Sequence, residues 1–307
     1  PIGRGAMGTV YRALQHPLHR AVALKILTAN ADEVSGPVKR FLAEARVLTE
    51  LNHPNIIGII DFGRTGDGRL FMALEYAEHG SLKAFMADGR LHPDLALCFA
   101  YQLAGALSAT HAKGIVHRDL KPENVLVCAH TDGTLSVKLS DFGLAKRPDG
   151  ESLARNLTAP RARVGTPGYM APEQVMREIA GPAVDPYALG VVLYGMLTGH
   201  PPFVGESKEA LYMAHAHEAV RPIGEIAPDV TLPEEVEGLV FELLGKVPDA
   251  RPADAAAVEG RIASWLRTVT FESTMPLPRA SRQTMDSGPV VLASKTPVLG
   301  SWCLLFL

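Results

Sequence analysis

The stretch His117-Arg118-Asp119-Leu120-Lys121-Pro122-Glu123-Asn124 decides how the rest of the chain is read. Before it, residues 95–111 carry apolar side chains at helical spacing, and after it Val125-Leu126-Val127 is a short β-branched run. The motif is therefore a loop between a helix and a strand. Asp119 and Asn124 stand five positions apart in it, and Asp141-Phe142-Gly143 follows a second strand-like run, Leu135-Ser136-Val137-Lys138-Leu139. One carboxylate can then accept a proton. A carboxamide and a second carboxylate remain as hard oxygen ligands, which suits Mg2+ shared with substrate phosphates.

Toward the amino end, Gly3-Arg4-Gly5-Ala6-Met7-Gly8-Thr9-Val10 spaces three glycines as GxGxxG. Glycine lets backbone N–H groups approach a phosphate closely. The spacing alone also fits a dinucleotide-binding turn, but that turn is followed by a helix. Here Thr9-Val10-Tyr11-Arg12-Ala13 continues as β-like sequence. Val22-Ala23-Leu24-Lys25 follows as a second strand, whose Lys25 could reach phosphates under the loop or could simply be solvated. Toward the carboxyl end, Gly165-Thr166 and Ala171-Pro172-Glu173 close a long polar segment that starts at Asp141.

The wider pattern shifts from strands to helices. Residues 9–14 and 21–27 read as strands, 38–51 as an amphipathic helix, and 56–62 with 70–76 as a strand pair about Gly66-Asp67-Gly68. From about residue 81 the periodicity is mainly helical, with long helices over 95–111, 184–197 and 233–244. The expected class is α+β: a small antiparallel-sheet lobe with one helix, then a larger mainly helical lobe. The expected division is 1–77, 78–267, and a Ser/Thr/Pro-rich linker with an apolar end over 268–307. The chain opens at Pro1-Ile2, so the strand that would precede the glycine loop is expected to lie outside it.

The 307 residues are 47% hydrophobic and 21% charged, which excludes a wholly disordered chain. With 30 basic and 33 acidic residues the net charge is −3, so nucleic acid is not an expected partner. Three scattered cysteines, Cys98, Cys128 and Cys303, exclude a disulfide framework and a CxxC zinc site and fit a reducing, cytoplasmic setting. The run 188–197 is too short to span a bilayer. The apolar stretch beginning near residue 297 either starts a membrane span, which needs ~20 such residues, or packs locally.

Taken in order, the glycine loop, the strand lysine, HRD, DFG and APE resemble the protein kinase superfamily, in particular the bacterial eukaryotic-like (Hanks-type) serine/threonine kinases, over residues 1–266. The resemblance implies a two-lobed kinase fold, ATP with Mg2+ (or Mn2+) as cofactors, and Ser/Thr hydroxyls of proteins as acceptors. It also implies autophosphorylation, with a homodimer as one route, in bacterial signalling. It assigns ATP binding to Gly3, Gly5, Gly8, Val10, Ala23, Lys25, Glu44, Leu126 and the hinge Glu75-Tyr76-Ala77, beside Leu74 as gatekeeper. Lys25 would hold phosphates and pair with Glu44, placed on the helix face away from Phe41 and Leu48. Asp119 would take the hydroxyl proton, Lys121 would stabilise the transferring phosphoryl group, and Asn124 and Asp141 would hold Mg2+. Thr166 would brace Asp119 and Lys121. Leu48, Ile59, His117 and Phe142 would form a stacked column anchored by Asp185, and Glu173 would pair with Arg251. Arg118 would pair with a phosphate on the activation segment, at Thr158 or secondarily Ser152.

Plainer expectations stand beside these. His117 is a packed histidine, His215 and His217 are spaced wrongly for one helix face and form no metal site, Cys98 and Cys128 are small packing residues, and Trp265 packs the last helix. If Asp185 caps its helix, Pro186 is at the first position, where proline is tolerated. Gly195 weakens that helix. Rival functions are a pseudokinase scaffold, disfavoured because the catalytic set is present, a small-molecule phosphotransferase, disfavoured by Lys121 and the APE-ended segment, and a dinucleotide oxidoreductase, disfavoured by the strand after the loop.

Overall fold

A computed structural model describes residues 1–5, 8–30, 36–143, 145, 165–176, 181–268, 291–292 and 304–306. They fall into two units: 1–52 with 57–78 and 277–307, and 53–56 with 79–276.

The first unit is an antiparallel sheet with one helix. Its strands are β1 (Gly3–Arg4), β2 (Gly8–Gln15), β3 (Arg20–Asn30), β4 (Ile59–Arg64) and β5 (Arg69–Glu75), with α1 (Gly36–Glu50) between β3 and β4. The order β4-β5-β3-β2 sets Val10 opposite Lys25 and Ala23 opposite Leu74. Side chains alternate along β3. Val22, Leu24 and Ile26 bury on one face with Ala13 and Ala73. Lys25 points to the other face, where α1 packs. Glu44 corrects the expectation: it lies on the same buried stripe of α1 as Phe41 and Leu48 and is 1% exposed. Spacings of three and four residues put these side chains on one helix face, and Glu44 is tolerated inside because Lys25 neutralises it.

The second unit holds α2 (Leu82–Phe85), α3 (Pro93–Ala112), a hairpin of β6 (Val125–Ala129) and β7 (Leu135–Leu139), α4 (Pro172–Met176), α5 (Val184–Thr198), α6 (Lys208–His217), α7 (Ile223–Ile226), α8 (Glu234–Leu243) and α9 (Ala255–Thr268). The helix α5 is apolar on every side and buried on every side, packed by α3, α7 and α8. Gly190 permits this, because a Cβ there would lie 2.7 Å from Leu243 Cβ. Gly199 ends α5 in the left-handed conformation at φ 77°. A Cβ at Gly195 would meet only His200 O, at an ordinary contact distance of 3.9 Å, so the cost of this glycine is one of helix propensity alone.

Asp185 is a second correction. The helix begins at Val184 after Ala183, with no side-chain cap, so Asp185 is the second residue of α5 and Pro186 the third. Proline is still accommodated there, since N–H groups of the first turn have no intrahelical partner. The Asp185 carboxylate is taken by more distant donors, described below.

Late in the chain, β8 (Val291–Leu292) pairs with β9 (Leu304–Phe306), and β9 extends the sheet of the first unit by pairing Ala13 with Phe306 and Gln15 with Leu304. The apolar stretch beginning near residue 297 is thus strand where it is described. Among the described residues no helix is long and apolar enough to cross a membrane.

Candidate active site

The first unit supplies a glycine turn, a buried ion pair and an extended strand end. Gly5 N donates to Gly8 O at 2.9 Å and Ile2 N to Val10 O at 2.8 Å. Gly8 is obligatory: a Cβ would stand 2.1 Å from the Ile26 carbonyl oxygen. Gly3 and Gly5 have a different reason. Among the described residues a Cβ at Gly3 would meet only Val10 Cβ at 4.0 Å and one at Gly5 would meet nothing within 4 Å, so packing does not require glycine there; a backbone without side chains could admit a phosphate group closely.

Lys25 Nζ donates to both carboxylate oxygens of Glu44, at 2.8 and 2.7 Å. The partners are 15% and 1% exposed, and such a pair serves chiefly to fix geometry. At the end of β5, Leu74 and Ala77 are buried, and Ala23 lies on the neighbouring strand. Glu75 is held from within: its backbone N donates to Gly58 O at 3.0 Å, and its Oε2 accepts from Gly58 N at 2.9 Å. The Arg12 guanidinium lies 5.4 Å from the Tyr76 ring centroid.

In the second unit the β6–β7 hairpin aligns the chemistry. Val125 pairs with Leu139, so Asn124 and Ser140-Asp141 emerge from the same hairpin end. Ser140 N and Oγ both donate to Asn124 O, at 2.8 and 2.9 Å. Leu126, further along β6, is half-buried.

Asp119, 8% exposed, is surrounded by donors. Its Oδ1 accepts from Thr166 N at 3.0 Å and Thr166 Oγ1 at 2.8 Å. Its Oδ2 accepts from Lys121 Nζ at 2.7 Å and Asn124 Nδ2 at 3.1 Å. Lys121 also donates to Thr166 Oγ1 at 2.6 Å. Asn124 Nδ2 also donates to Asp119 O at 2.8 Å, so the amide nitrogen is committed and the amide oxygen is the atom of this side chain that could ligate a cation. Among the described residues no group of three or more His, Cys, Asp or Glu side chains could hold a metal by itself. A hard cation completed by substrate phosphates needs only one or two protein oxygens, and Asn124 with Asp141 could supply them.

Asp185 holds the loop from behind. It is fully buried, and its oxygens accept from Arg118 N at 2.8 Å and His117 N at 2.9 Å, with His111 Nε2 at 2.8 Å. Burial pushes its carboxyl up, but these donors and the nearby histidines outweigh burial and leave it below its ordinary value. Arg118 and Asp141 both have left-handed backbones, at φ 67° and 61°. Each such non-glycine residue stores about 1–3 kcal/mol and persists because its surroundings over-determine it.

His117 is packed as expected. It is buried, pairs with Ser140 O at 3.1 Å, and meets Phe142 edge-to-face at 4.8 Å. Burial lowers the Arg118 guanidinium, partly offset by the Asp185 carboxylate. The proposed phosphate acceptors Ser152 and Thr158 lie outside the described residues.

Further from the chemistry, Arg251 forms a buried fork on Glu173, at 2.7 and 2.8 Å, and also donates to the carbonyls of Ala183 and Gly245. His111 and His215 escaped the sequence reading as network members. Each sits in an ordinary helical pattern, and only its buried partner marks it. Trp265 is half-buried on α9, and Cys128 is buried. Burial raises the Cys98 thiol, which leaves it a poor nucleophile.

Comparison with known families matches residues 1–262 to the protein kinase domain. Among curated proteins, the serine/threonine-protein kinase pkn3 of Myxococcus xanthus is 36% identical over 97% of this chain and 52% of its own length. PkaA of Streptomyces coelicolor is 37% identical over 82% of this chain and 47% of its own length. PrkC of Bacillus subtilis is 35% identical over 85% and 39%, respectively. The chain therefore spans about half or less of the length of these relatives.

Proposed function

The chain belongs to the protein kinase family, and on that premise we propose that it transfers the γ-phosphoryl group of ATP to Ser and Thr hydroxyls of proteins. The observation that carries this reading is the Asp119 carboxylate, held by Thr166, Lys121 and Asn124. Hydrogen bonds from these donors hold the carboxylate aimed, so it can accept the hydroxyl proton as the oxygen attacks. Lys121, already 2.7 Å from Asp119, places a positive charge beside the transferring group. Lys25, clamped by Glu44, binds the nucleotide phosphates as a fixed cation, and the glycine backbone at Gly3, Gly5 and Gly8 lets them approach closely. Val10, Ala23 and Leu126 give apolar contacts to the base, and the chain at Glu75 and Ala77 gives its hydrogen bonds. Asn124 and Asp141 would hold Mg2+ (or Mn2+), which supplies charge neutralisation on the phosphates when bound.

The choice of Ser and Thr over Tyr is supported by Lys121 together with Thr166, and by the relatives, which are serine/threonine-protein kinases. Arg118 is the proposed docking cation for a phosphate on Thr158 or Ser152, added by a second copy of the chain. A bacterial signalling role on the cytoplasmic side completes the reading.

The test is Asp119→Asn. It should lower phosphoryl transfer by about 10²–10⁴-fold, the range for a lost general base, and leave nucleotide binding intact. Comparable transfer by the variant, or phosphoamino-acid analysis dominated by phosphotyrosine, contradicts the reading.

A further inference from the structure

The turn Pro167–Tyr169 follows directly on Thr166, whose hydroxyl bonds both Asp119 and Lys121. A protein hydroxyl delivered to Asp119 must bring its neighbouring residues past this turn. The turn packs on α6. Leu211 Cδ2 lies 3.9 Å from the position a Cβ on Gly168 would take, and His215, one helical turn along, is fully buried.

His215 is an odd filler for an apolar site. Its Nδ1 and the Tyr187 hydroxyl are 2.9 Å apart, and the ring meets Phe203 edge-on at 4.9 Å. Lys246 Nζ sits 3.9 Å over the Phe203 ring and donates to His215 O at 2.8 Å. Burial, followed by the Lys246 charge, holds the imidazole pKa down to about 4 against the opposing pull of the Gly168 backbone, so the ring is neutral. Nε2 is buried without a hydrogen bond among the described residues. A buried nitrogen left that way is costly, and a phenylalanine would fill the space without the cost. The backbone group that acts electrostatically on this ring belongs to Gly168, in the turn itself.

We propose that His215 is a positioning residue for the protein acceptor: braced by Tyr187, its ring supports the Gly168 backbone and so sets the turn beside which the acceptor hydroxyl enters. This rests on the reading of Asp119 as the proton acceptor. Leu211 and His215 are four residues apart on one face of α6, the face that packs on the turn, and this places the buried ring beside Gly168. Tyr187 is a stiff brace, because the Arg251 guanidinium stacks 4.9 Å from its ring centroid.

The experiment compares wild type with His215→Phe, His215→Gln and the exposed control His217→Ala, using myelin basic protein as acceptor. His215→Phe should raise the acceptor KM about three- to tenfold, the worth of one hydrogen bond, with the ATP KM unchanged. His215→Gln, which restores a donor at the Nε2 end, should recover part of the loss, and His217→Ala should match wild type. Amide hydrogen exchange reads the same support without turnover: residues 165–170 should exchange faster in His215→Phe while 117–124 do not. If His215→Phe misfolds, Tyr187→Phe removes the brace and carries the same expectations. An unchanged acceptor KM in an active enzyme, or unchanged exchange over 165–170, overturns the proposal. A wild type that transfers no phosphate refutes the kinase reading instead, and the exchange arm still decides the role of His215.

Discussion

Replacing Asp185 by Asn tests whether the catalytic loop is held in place or merely packed. The buried carboxylate accepts from two backbone N–H groups, of His117 and Arg118, and pairs with His111 Nε2. An asparagine offers one oxygen. Whichever way the amide turns, its NH2 group faces an N–H donor, so at least one buried donor is orphaned at about 1–3 kcal/mol. At ~2–4 °C per kcal/mol for a unit of this size, the melting temperature falls by about 2–12 °C. Activity should fall further than stability. Arg118 is left-handed at φ 67°, and once Asp185 releases its N–H the stored strain relaxes and carries the adjacent Asp119 with it. A displacement of ~1 Å at a reacting group costs about 100-fold in rate.

Stability against pH adds an independent arm. The Asp185 carboxyl lies below its ordinary value of 3.8 in the folded protein. Its contribution to stability is therefore fully present above that value and is lost as pH falls through the lower, folded one. Wild type should weaken from about pH 4 downward more steeply than Asp185→Asn, which has no carboxyl to protonate. Thermal melts between pH 7 and 3 and turnover at pH 7.5 make the measurement. A variant that melts within a degree of wild type, or one that melts lower but keeps full turnover, refutes the link between Asp185 and Asp119.

Thr166→Val removes the hydroxyl that joins Asp119 to Lys121. Hydrogen bonds to charged groups are worth about 1.5–3 kcal/mol, so kcat should drop about 10–100-fold while the melting temperature moves little; unchanged kcat would remove Thr166 from the site. Arg251→Met strands the buried Glu173 carboxylate and should cost about 3–5 kcal/mol in a urea melt, whereas Lys83→Met, at the exposed pair with Glu123, should cost at most about 1 kcal/mol. Gly8→Ala forces a Cβ to within 2.1 Å of the Ile26 carbonyl and should destabilise the sheet by about 1–3 kcal/mol, whereas Gly5→Ala, which meets nothing, should melt like wild type.

The amino-acid sequence alone determined the two element classes and the loop at 117–124. Periodicity of two or 3.6 residues and glycine-marked turns are local properties, so β3, α3 and α5 appeared within a few residues of their observed ends. The side chains whose role depends on distant partners were another matter. Glu44 reads from its helix pattern as lying on the face away from Phe41 and Leu48, yet it is buried on their stripe because Lys25, nineteen positions earlier, arrives there to pair with it. Asp185 at the start of a helix reads as a cap, yet its oxygens are claimed by N–H groups 67 and 68 positions away. His111 and His215 carry no local signal, because a histidine in a helix looks alike whether it is solvated or held by Asp185 or Tyr187. Burial and pairing of polar groups are decided by which elements meet, since a charge is tolerated inside only where another element brings its partner. Only the tertiary structure could decide them.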